Sequence, residues 1–271
     1  MTPYIVLAIC ACFSGVTTVL FGFGGGFVVV PLLYRLLLAV DGPHGAAGRH
    51  AMQIAVATST CVMIFSAWFA TLRHRRAGHI DWRQARPLLP GIACGAMVGA
   101  AAAAAVNGAW LRWAFVLYLG ITILDCVCRA GFLARPAPRA RAPSRAESML
   151  LGGAVGAVAA FLGVGGSVMT VPLMRRRGLD MVRATALANP LSLPVGVAGA
   201  AAYAALAWRG GPALGAWHLG YVDLRALAVL VAGSWCGIRL GSPCIGRLPD
   251  GLYAKVYLGL LVAVLLAMAV T

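Results

Sequence analysis

Acidic side chains are scarce: Asp and Glu together number 7 in 271 residues, against 22 Lys and Arg, for a formal net charge of +15. Charged residues of both signs make up only 11% of the chain, where a soluble globular domain carries about 25%. That shortage excludes an ordinary cytosolic enzyme and a disordered chain. Lysine is nearly missing, with Lys255 as the single copy. No G-x-x-x-x-G-K-[ST] loop is present to cradle a nucleotide phosphate, so no ATP-driven step is written into the chain. The 5 His sit at positions 44, 50, 74, 79 and 218 without metal-ligand spacing, and no metal or cofactor is expected. The 8 Cys lie mostly inside apolar stretches, as in Cys10-x-Cys12 and Cys126-x-Cys128, and read as small buried hydrophobes. Neither a basic stretch before the first apolar run nor an A-x-A cleavage site stands out, so the N-terminus reads as retained.

What the chain has is apolar length. Hydrophobic residues make up 61% and the mean hydropathy is +0.88. A membrane-crossing helix needs roughly 20 apolar residues. Eight hydrophobic runs of that kind occur, at about residues 4–38, 51–72, 84–106, 110–134, 148–174, 184–208, 223–244 and 252–271. The fold class is therefore an all-α polytopic membrane protein, with the lipid bilayer as one partner. The basic charge belongs to loops and helix ends, where it orients the chain in the membrane; nucleic acid is not an expected partner.

The stretch RPAPRARAPSRAE, residues 135–147, is a Pro- and Arg-rich linker that separates an N-terminal repeat, 1–134, from a C-terminal repeat, 148–271. Gly22–Leu33 (GFGGGFVVVPLL) matches Gly163–Met174 (GVGGSVMTVPLM), and Gly78–Arg83 (GHIDWR) matches Gly220–Arg225 (GYVDLR). The latter offset also aligns Gly91, Cys94, Gly95 and Gly99 with Gly233, Cys236, Gly237 and Gly241, and Tyr118-Leu119-Gly120 recurs as Tyr257-Leu258-Gly259. Blocks repeated in one order are the trace of a duplication.

The first and fifth runs are each broken by a glycine cluster. If the chain turns back at both clusters, residues 72–87, 129–147, 175–183 and 239–255 fall on one side of the membrane and hold 17 of the 22 basic residues. If each run crosses once, the division is nearly even. The positive-inside rule selects the first arrangement: two homologous inverted repeats, 8 to 10 membrane segments by how the broken runs are counted, the linker cytoplasmic and both termini outside.

Irregular backbone at membrane depth survives only where protein or an aqueous cavity satisfies it, which makes the glycine clusters the candidate site. Gly22, Gly24, Gly25 and Gly26 in the first repeat, and Gly163, Gly165 and Gly166 in the second, permit positive φ and close approach of a ligand. The helices that follow offer free N–H groups and a positive dipole end to an anion. Thr58 and Ser59 align with Asn189 and Pro190, and with Ser167 they supply neutral donors that bind oxyanion oxygens without a buried cation. Pro190 and Pro194 are expected to unwind or kink the sixth run. Asp125 is the acid deepest in an apolar run, which makes it a candidate proton carrier, but Arg129 one turn on is its expected partner. Asp81 and Asp223 read as helix N-caps. The stripes Gly91/Gly95/Gly99 and Gly233/Gly237/Gly241 read as helix-packing faces, equally suited to contacts within one chain or in a homo-oligomer.

The Gly-x-Gly-Gly-Gly-x-x-x-x-Pro-Leu-Leu block after the first apolar run, its degenerate copy after a basic linker, and the Ala-Thr-Ser segment resemble the TauE/SafE sulfite-exporter family over essentially the whole chain. The resemblance implies a multi-pass carrier of the bacterial inner membrane that moves sulfite, organosulfonates or related small anions, an exporter rather than an enzyme. Ser167 replaces the third glycine of the second copy, and Asn189-Pro190 replaces Thr-Ser. Energy must come from a gradient or from a partner, and the coupling ion is not legible. Two other classes fit the composition, an intramembrane thiol-redox enzyme and a non-transporting structural subunit. Loss of activity on Cys substitution would mark the former, and absence of liposome flux the latter.

Overall fold

The computed structural model describes residues 2–128, 132, 144–208 and 217–270. Its helices are, in chain order, α1 (Thr2–Phe21), α2 (Gly26–Asp41), α3 (Ala46–Arg49), α4 (Ala51–Arg76), α5 (Trp82–Ala85), α6 (Leu89–Ala105), α7 (Gly108–Cys128), α8 (Arg145–Leu162), α9 (Ser167–Arg176), α10 (Met181–Trp208), α11 (Leu224–Gly241) and α12 (Asp250–Ala269). A two-stranded ribbon, β1 (His218–Leu219) and β2 (Val222–Asp223), precedes α11. Seven of the described helices are long and apolar enough to cross a bilayer, and α6 is a shorter apolar helix. The chain is an all-α polytopic membrane protein.

The chain reverses at each glycine cluster. A continuous helix would place residue 25 about 16 Å along the axis from residue 14. Instead the Ser14 hydroxyl donates to the Gly25 carbonyl at 3.1 Å. Tyr4 and Leu7 near the start of α1 then share a cavity wall with Leu37 and Val40 near the end of α2, so the two helices run in opposite senses. α8 and α9 do the same, with Leu151 and Ala154 beside Leu173 and Arg176. α8 itself starts from a capping box, the Ser144 hydroxyl accepting from Glu147 N–H and the Glu147 carboxylate from Ser144 N–H.

Packing is reciprocal across the two halves. α1 lies on α11 and α8 on α6; α2 lies on α4 and α9 on α10; α4 meets α10, and α7 meets α12. The small-residue stripes make the two tightest contacts. A Cβ on Gly95 would sit 2.0 Å from the Gly153 carbonyl oxygen, and one on Gly237 would sit 1.9 Å from that of Cys12. Only a Cα–H fits there, and backbone-to-backbone contact replaces the hydrophobic drive that lipid cannot supply. The stripes thus serve contacts inside one chain, α6 with α8 and α1 with α11.

α10 is not unwound by its prolines. It stays helical from Met181 to Trp208 straight through Pro190 and Pro194. Pro190 leaves the Ala186 carbonyl without its partner and Pro194 leaves that of Pro190, yet helix neighbours on several sides hold the segment in register. Asp81 and Asp223 do cap: Asp81 accepts from Arg83 N–H, and Asp223 from the N–H groups of Arg225 and Ala226.

Candidate functional site

The two glycine tips touch. A Cβ on Gly24 would lie 3.3 Å from Cα of Gly165, and one on Gly165 would lie 3.3 Å from Cα of Gly24; the Ser192 hydroxyl of α10 abuts both, at 3.2 and 2.9 Å. A Cβ on Gly26 would meet the Gly163 carbonyl oxygen at 2.6 Å, so the base of α2 also seats on the second tip. Gly22, Gly24, Gly25, Gly26, Gly163, Gly165, Gly166 and Ser167 are all buried.

The reasons for glycine differ within the set. Gly24 has φ +67 and Gly163 φ +67, a left-handed backbone that costs any side chain about 1–2 kcal/mol. Gly22 and Gly25 share that region. Gly26, Gly165 and Gly166 do not: Gly166 has φ −57 and is ordinary helical backbone. The expectation of positive φ across both clusters is corrected there. Gly26 and Gly165 are instead fixed by contact, since neighbouring backbone fills the space of a Cβ. Gly166 meets nothing nearer than Val155 Cγ1 at 3.3 Å.

Both returning helices start uncapped by side chains: α2 begins after Gly25 and α9 after Gly166, with no side-chain bond to either N-terminus. Their orphan N–H groups and positive dipole ends face a glycine-lined junction. In the first turn of α9 the buried Thr170 hydroxyl has no hydrogen-bond partner, and neither does the buried Oδ1 of Asn189 on α10.

Other polar side chains hold the tip backbone. The Ser59 hydroxyl lies 2.8 Å from the Val56 carbonyl of its own helix and 2.9 Å from that of Gly163, sharing one proton between them. Asn189 Nδ2 reaches back to Thr185 O at 3.4 Å. Ser167 Oγ reaches Gly165 O at 3.5 Å. Thr58 faces elsewhere: its hydroxyl accepts the Asp223 N–H from the start of α11, so it ties α4 to that loop. Residues that the sequence pattern did not single out do as much. Ser66 Oγ lies 2.8 Å from Gly24 O, His74 Nε2 lies 2.7 Å from Val19 O, and the hydroxyls of Tyr253 and Tyr257 reach Leu20 O and Ser167 O. Ser66 follows Ser59 by two helical turns, a spacing that places both on one face of α4. Tyr257 belonged to the repeated Tyr-Leu-Gly block. Behind the first tip Phe23 stacks between Phe27 and Tyr257, with ring centroids 4.5 and 4.9 Å apart.

Asp125 has a partner that helix spacing did not name. Arg176 at the end of α9 pairs with it, joining α7 to α9 across the halves; Arg129 lies outside the described residues. Next to that pair, Arg175 is fully buried and bridges to Asp250 at 2.8 Å, while donating to Phe132 O and Leu179 O. Among the described residues no cluster of three or more His, Cys, Asp or Glu could hold a metal ion.

Two broken helices that meet tip to tip inside a bundle of crossing helices define a class, membrane proteins with discontinuous helices at a buried junction. The comparisons give the family. The chain is matched over residues 7–268 by the family described as Sulfite exporter TauE/SafE, and it belongs to that family. It is 26% identical over 260 residues to a "Probable membrane transporter protein" of Haemophilus influenzae, covering 94% of both chains. It is also 34% identical over 82 residues to "Probable membrane transporter protein YunE" of Bacillus subtilis, 30% of this chain and 26% of that one. It is a multi-pass membrane protein of a transporter family.

Proposed function

We propose that the protein is a secondary transporter of small anions, sulfite or organosulfonates in class, binding them at the junction of the two glycine tips and working as an exporter rather than an enzyme. The observation that carries this reading is the meeting of Gly24 with Gly165 where two side-chain-uncapped helix N-termini begin. Orphan N–H groups of α2 and α9 would hold the anion oxygens, with Gly22, Gly25, Gly26, Gly163, Gly166 and Ser167 shaping the cradle, Ser59 bracing it through Gly163 O, and Asn189, one turn before Ser192 on α10, offering a further amide donor. Thr58 would act indirectly, through its tie to Asp223.

The halves on either side of residues 135–147 act, in this reading, as inverted repeats that rock about the junction. Reciprocal packing of α1 on α11 and α8 on α6 supports that symmetry. Arg73, Arg75 and Arg76, Arg175 to Arg177, and Arg239 and Arg247 then share the cytoplasmic face of a bacterial inner membrane.

The test is flux of sulfite, sulfoacetate, taurine, sulfate and thiosulfate into liposomes holding the purified protein. Saturable flux of one or more of the anions, above protein-free liposomes, is the expected result. No flux of any panel member, with folded protein in the bilayer, overturns the proposal.

A further inference from the structure

Along one face α10 lies against both glycine tips. A Cβ on Gly22 would stand 2.6 Å from Thr185 O and 3.0 Å from Ala188 Cβ, and the Ser192 hydroxyl abuts Gly24 and Gly165. Asn189 falls between these contacts, since Thr185, Asn189 and Ser192 follow one another at i, i+4 and i+7 on one helix face. Residues 185–196 hold no ionisable side chain, and neither do the tips at 21–27 and 162–168. A charge brought between these segments meets dipoles from them, not a counter-ion.

Asn189 is fully buried, and its carboxamide fits only one way round. A carbonyl oxygen can only accept, so the end that lies 3.4 Å from Thr185 O must be Nδ2. Oδ1 is then the other end, and it has no hydrogen-bond partner. Three residues on, Ser192 gives its proton to Ala188 O at 2.8 Å, which leaves Oγ lone pairs toward the two tips. Meanwhile the tip carbonyls of Gly24, Gly25 and Gly163 are already met by Ser66, Ser14 and Ser59. α10 thus sets an unmet acceptor beside helix N-termini that offer donors.

The first half has no equivalent. Thr58, which aligns with Asn189, is engaged by the Asp223 N–H. Val29 stands where the second tip has Thr170, whose buried hydroxyl is also without a partner. Val168, Met169, Pro172, Leu173 and Arg176 line a cavity on one side of α9; Thr170 lies on the other side of that helix, which packs on α10. Both unmet side-chain groups therefore belong to the second half, one a strict acceptor and one able to donate.

We propose that the junction selects singly charged sulfur oxyanions that carry a hydrogen-bond donor of their own, received by Asn189 Oδ1, over dianions and donor-free sulfonates. The proposal rests on the anion-site reading above and narrows its substrate class. Hydrogen sulfite has both properties; sulfate and thiosulfate have neither. An anion that only accepts would leave Oδ1 buried and unpaired, with oxygen lone pairs set against it, and that penalty exceeds the net gain of an ordinary hydrogen bond. Charge selects in the same direction. The starts of α2 and α9 supply about +0.5 each, and the C-terminal ends of α1 and α8 at the same tips subtract from that sum. One negative charge is the most that these dipoles can balance, so a dianion keeps an uncompensated charge away from water.

Equilibrium binding to the purified full chain in lipid nanodiscs, at one fixed pH and ionic strength, tests this with sulfite, sulfamate, methanesulfonate and sulfate. Sulfamate and methanesulfonate are tetrahedral monoanions of nearly equal size that differ by an amino group in place of a methyl. The amino group is the more costly of the two to take out of water, so a site without a waiting acceptor favours methanesulfonate. Wild type should bind sulfamate at least about fivefold tighter than methanesulfonate, and sulfate more weakly than either. A smaller or reversed preference, or sulfate bound tighter than sulfamate, overturns the proposal, and this comparison needs no variant. Asn189→Leu, close to Asn in volume, should lose the preference for sulfamate; Asn189→Ala serves if the leucine variant does not fold. A preference retained in the folded variant overturns the assignment to Asn189. If sulfite binds and neither sulfamate nor methanesulfonate does, this proposal fails and the anion site stands. If none of the four binds, the anion-site reading fails and takes the proposal with it.

Discussion

Gly24→Ala and Gly166→Ala add the same methyl group to corresponding stretches of the two tips, and the structure assigns them opposite signs. At Gly24 the backbone has φ +67, which costs an alanine about 1–2 kcal/mol. Its Cβ would stand 3.2 Å from Ser192 Oγ and 3.3 Å from Gly165 Cα, so the tips must also part by a few tenths of an ångström. Reduced freedom of the unfolded chain returns about 0.4–1 kcal/mol, which leaves a loss near 1 kcal/mol. Gly166 has φ −57, so no left-handed cost applies, and its one tight contact, 3.3 Å to Val155 Cγ1, is with a side-chain end that can shift more cheaply than the backbone facing Gly24. The two variants should therefore differ by roughly 2 kcal/mol, or about 4–8 °C in thermal midpoint for a chain of this size. Thermal unfolding in detergent measures that difference, and liposome flux measures its functional side. Gly24→Ala should lose anion affinity by 10-fold or more, about one charge-assisted hydrogen bond, while Gly166→Ala, which keeps its helical backbone, should lose distinctly less. Equal midpoints would refute the backbone argument. Unaltered binding and flux in folded Gly24→Ala would refute the site.

Further outcomes follow from the same contacts. Gly95→Ala places a Cβ 2.0 Å from the Gly153 oxygen and should cost about 1–3 kcal/mol and much of the expressed yield, whereas Gly120→Ala meets nothing within 4 Å and should stabilise its helix slightly. Asp125→Asn breaks a pair whose side chains are 34% and 28% exposed, so it should lower the thermal midpoint by no more than a few degrees and keep flux per folded molecule; a well-folded variant without flux would give Asp125 a mechanistic role. In a background stripped of native cysteines, Arg75→Cys and Arg183→Cys should react with an impermeant reagent from one side of the membrane and Arg225→Cys from the other. Labelling of the first two from opposite sides would end the inverted arrangement.

Much of the fold was legible because some physical demands admit few residues. A left-handed turn at Gly24 or Gly163 requires glycine, so both breaks showed in the sequence. Contact between backbones requires a missing Cβ, so the faces at Gly91/Gly95/Gly99 and Gly233/Gly237/Gly241 showed too, though not their partners. Those partners sit on α8 and α1, a matter of tertiary pairing that no local spacing encodes. Asp125 illustrates the point: helix spacing names Arg129, which lies outside the described residues, and cannot name Arg176, 51 residues away, which pairs with it in space. Pro190 and Pro194 leave α10 helical for a related reason, since propensity describes an isolated helix and α10 is held by its neighbours.

The hydroxyl side chains explain what was least legible at the site. A Ser in a helix can return its proton to its own chain or give it to a foreign carbonyl, and the two alternatives are close in energy. Ser59 and Ser66 do both at once, each bridging its own turn to a tip carbonyl, Gly163 O and Gly24 O. Nothing in the residue type selects that carbonyl over a bound anion. The geometry does, because a tip with positive φ turns its carbonyls outward from the helix and leaves acceptors that only a neighbour can satisfy. Most side-chain donors around the junction thus serve the protein's own acceptors. The donors left over are the Thr170 hydroxyl and the main-chain N–H groups at the starts of α2 and α9, and no substitution short of proline removes the latter. In the proposed function such a site would read the charge and size of an anion through backbone position, and its specificity would be set by the glycines that fix the backbone and by the helices that grip it.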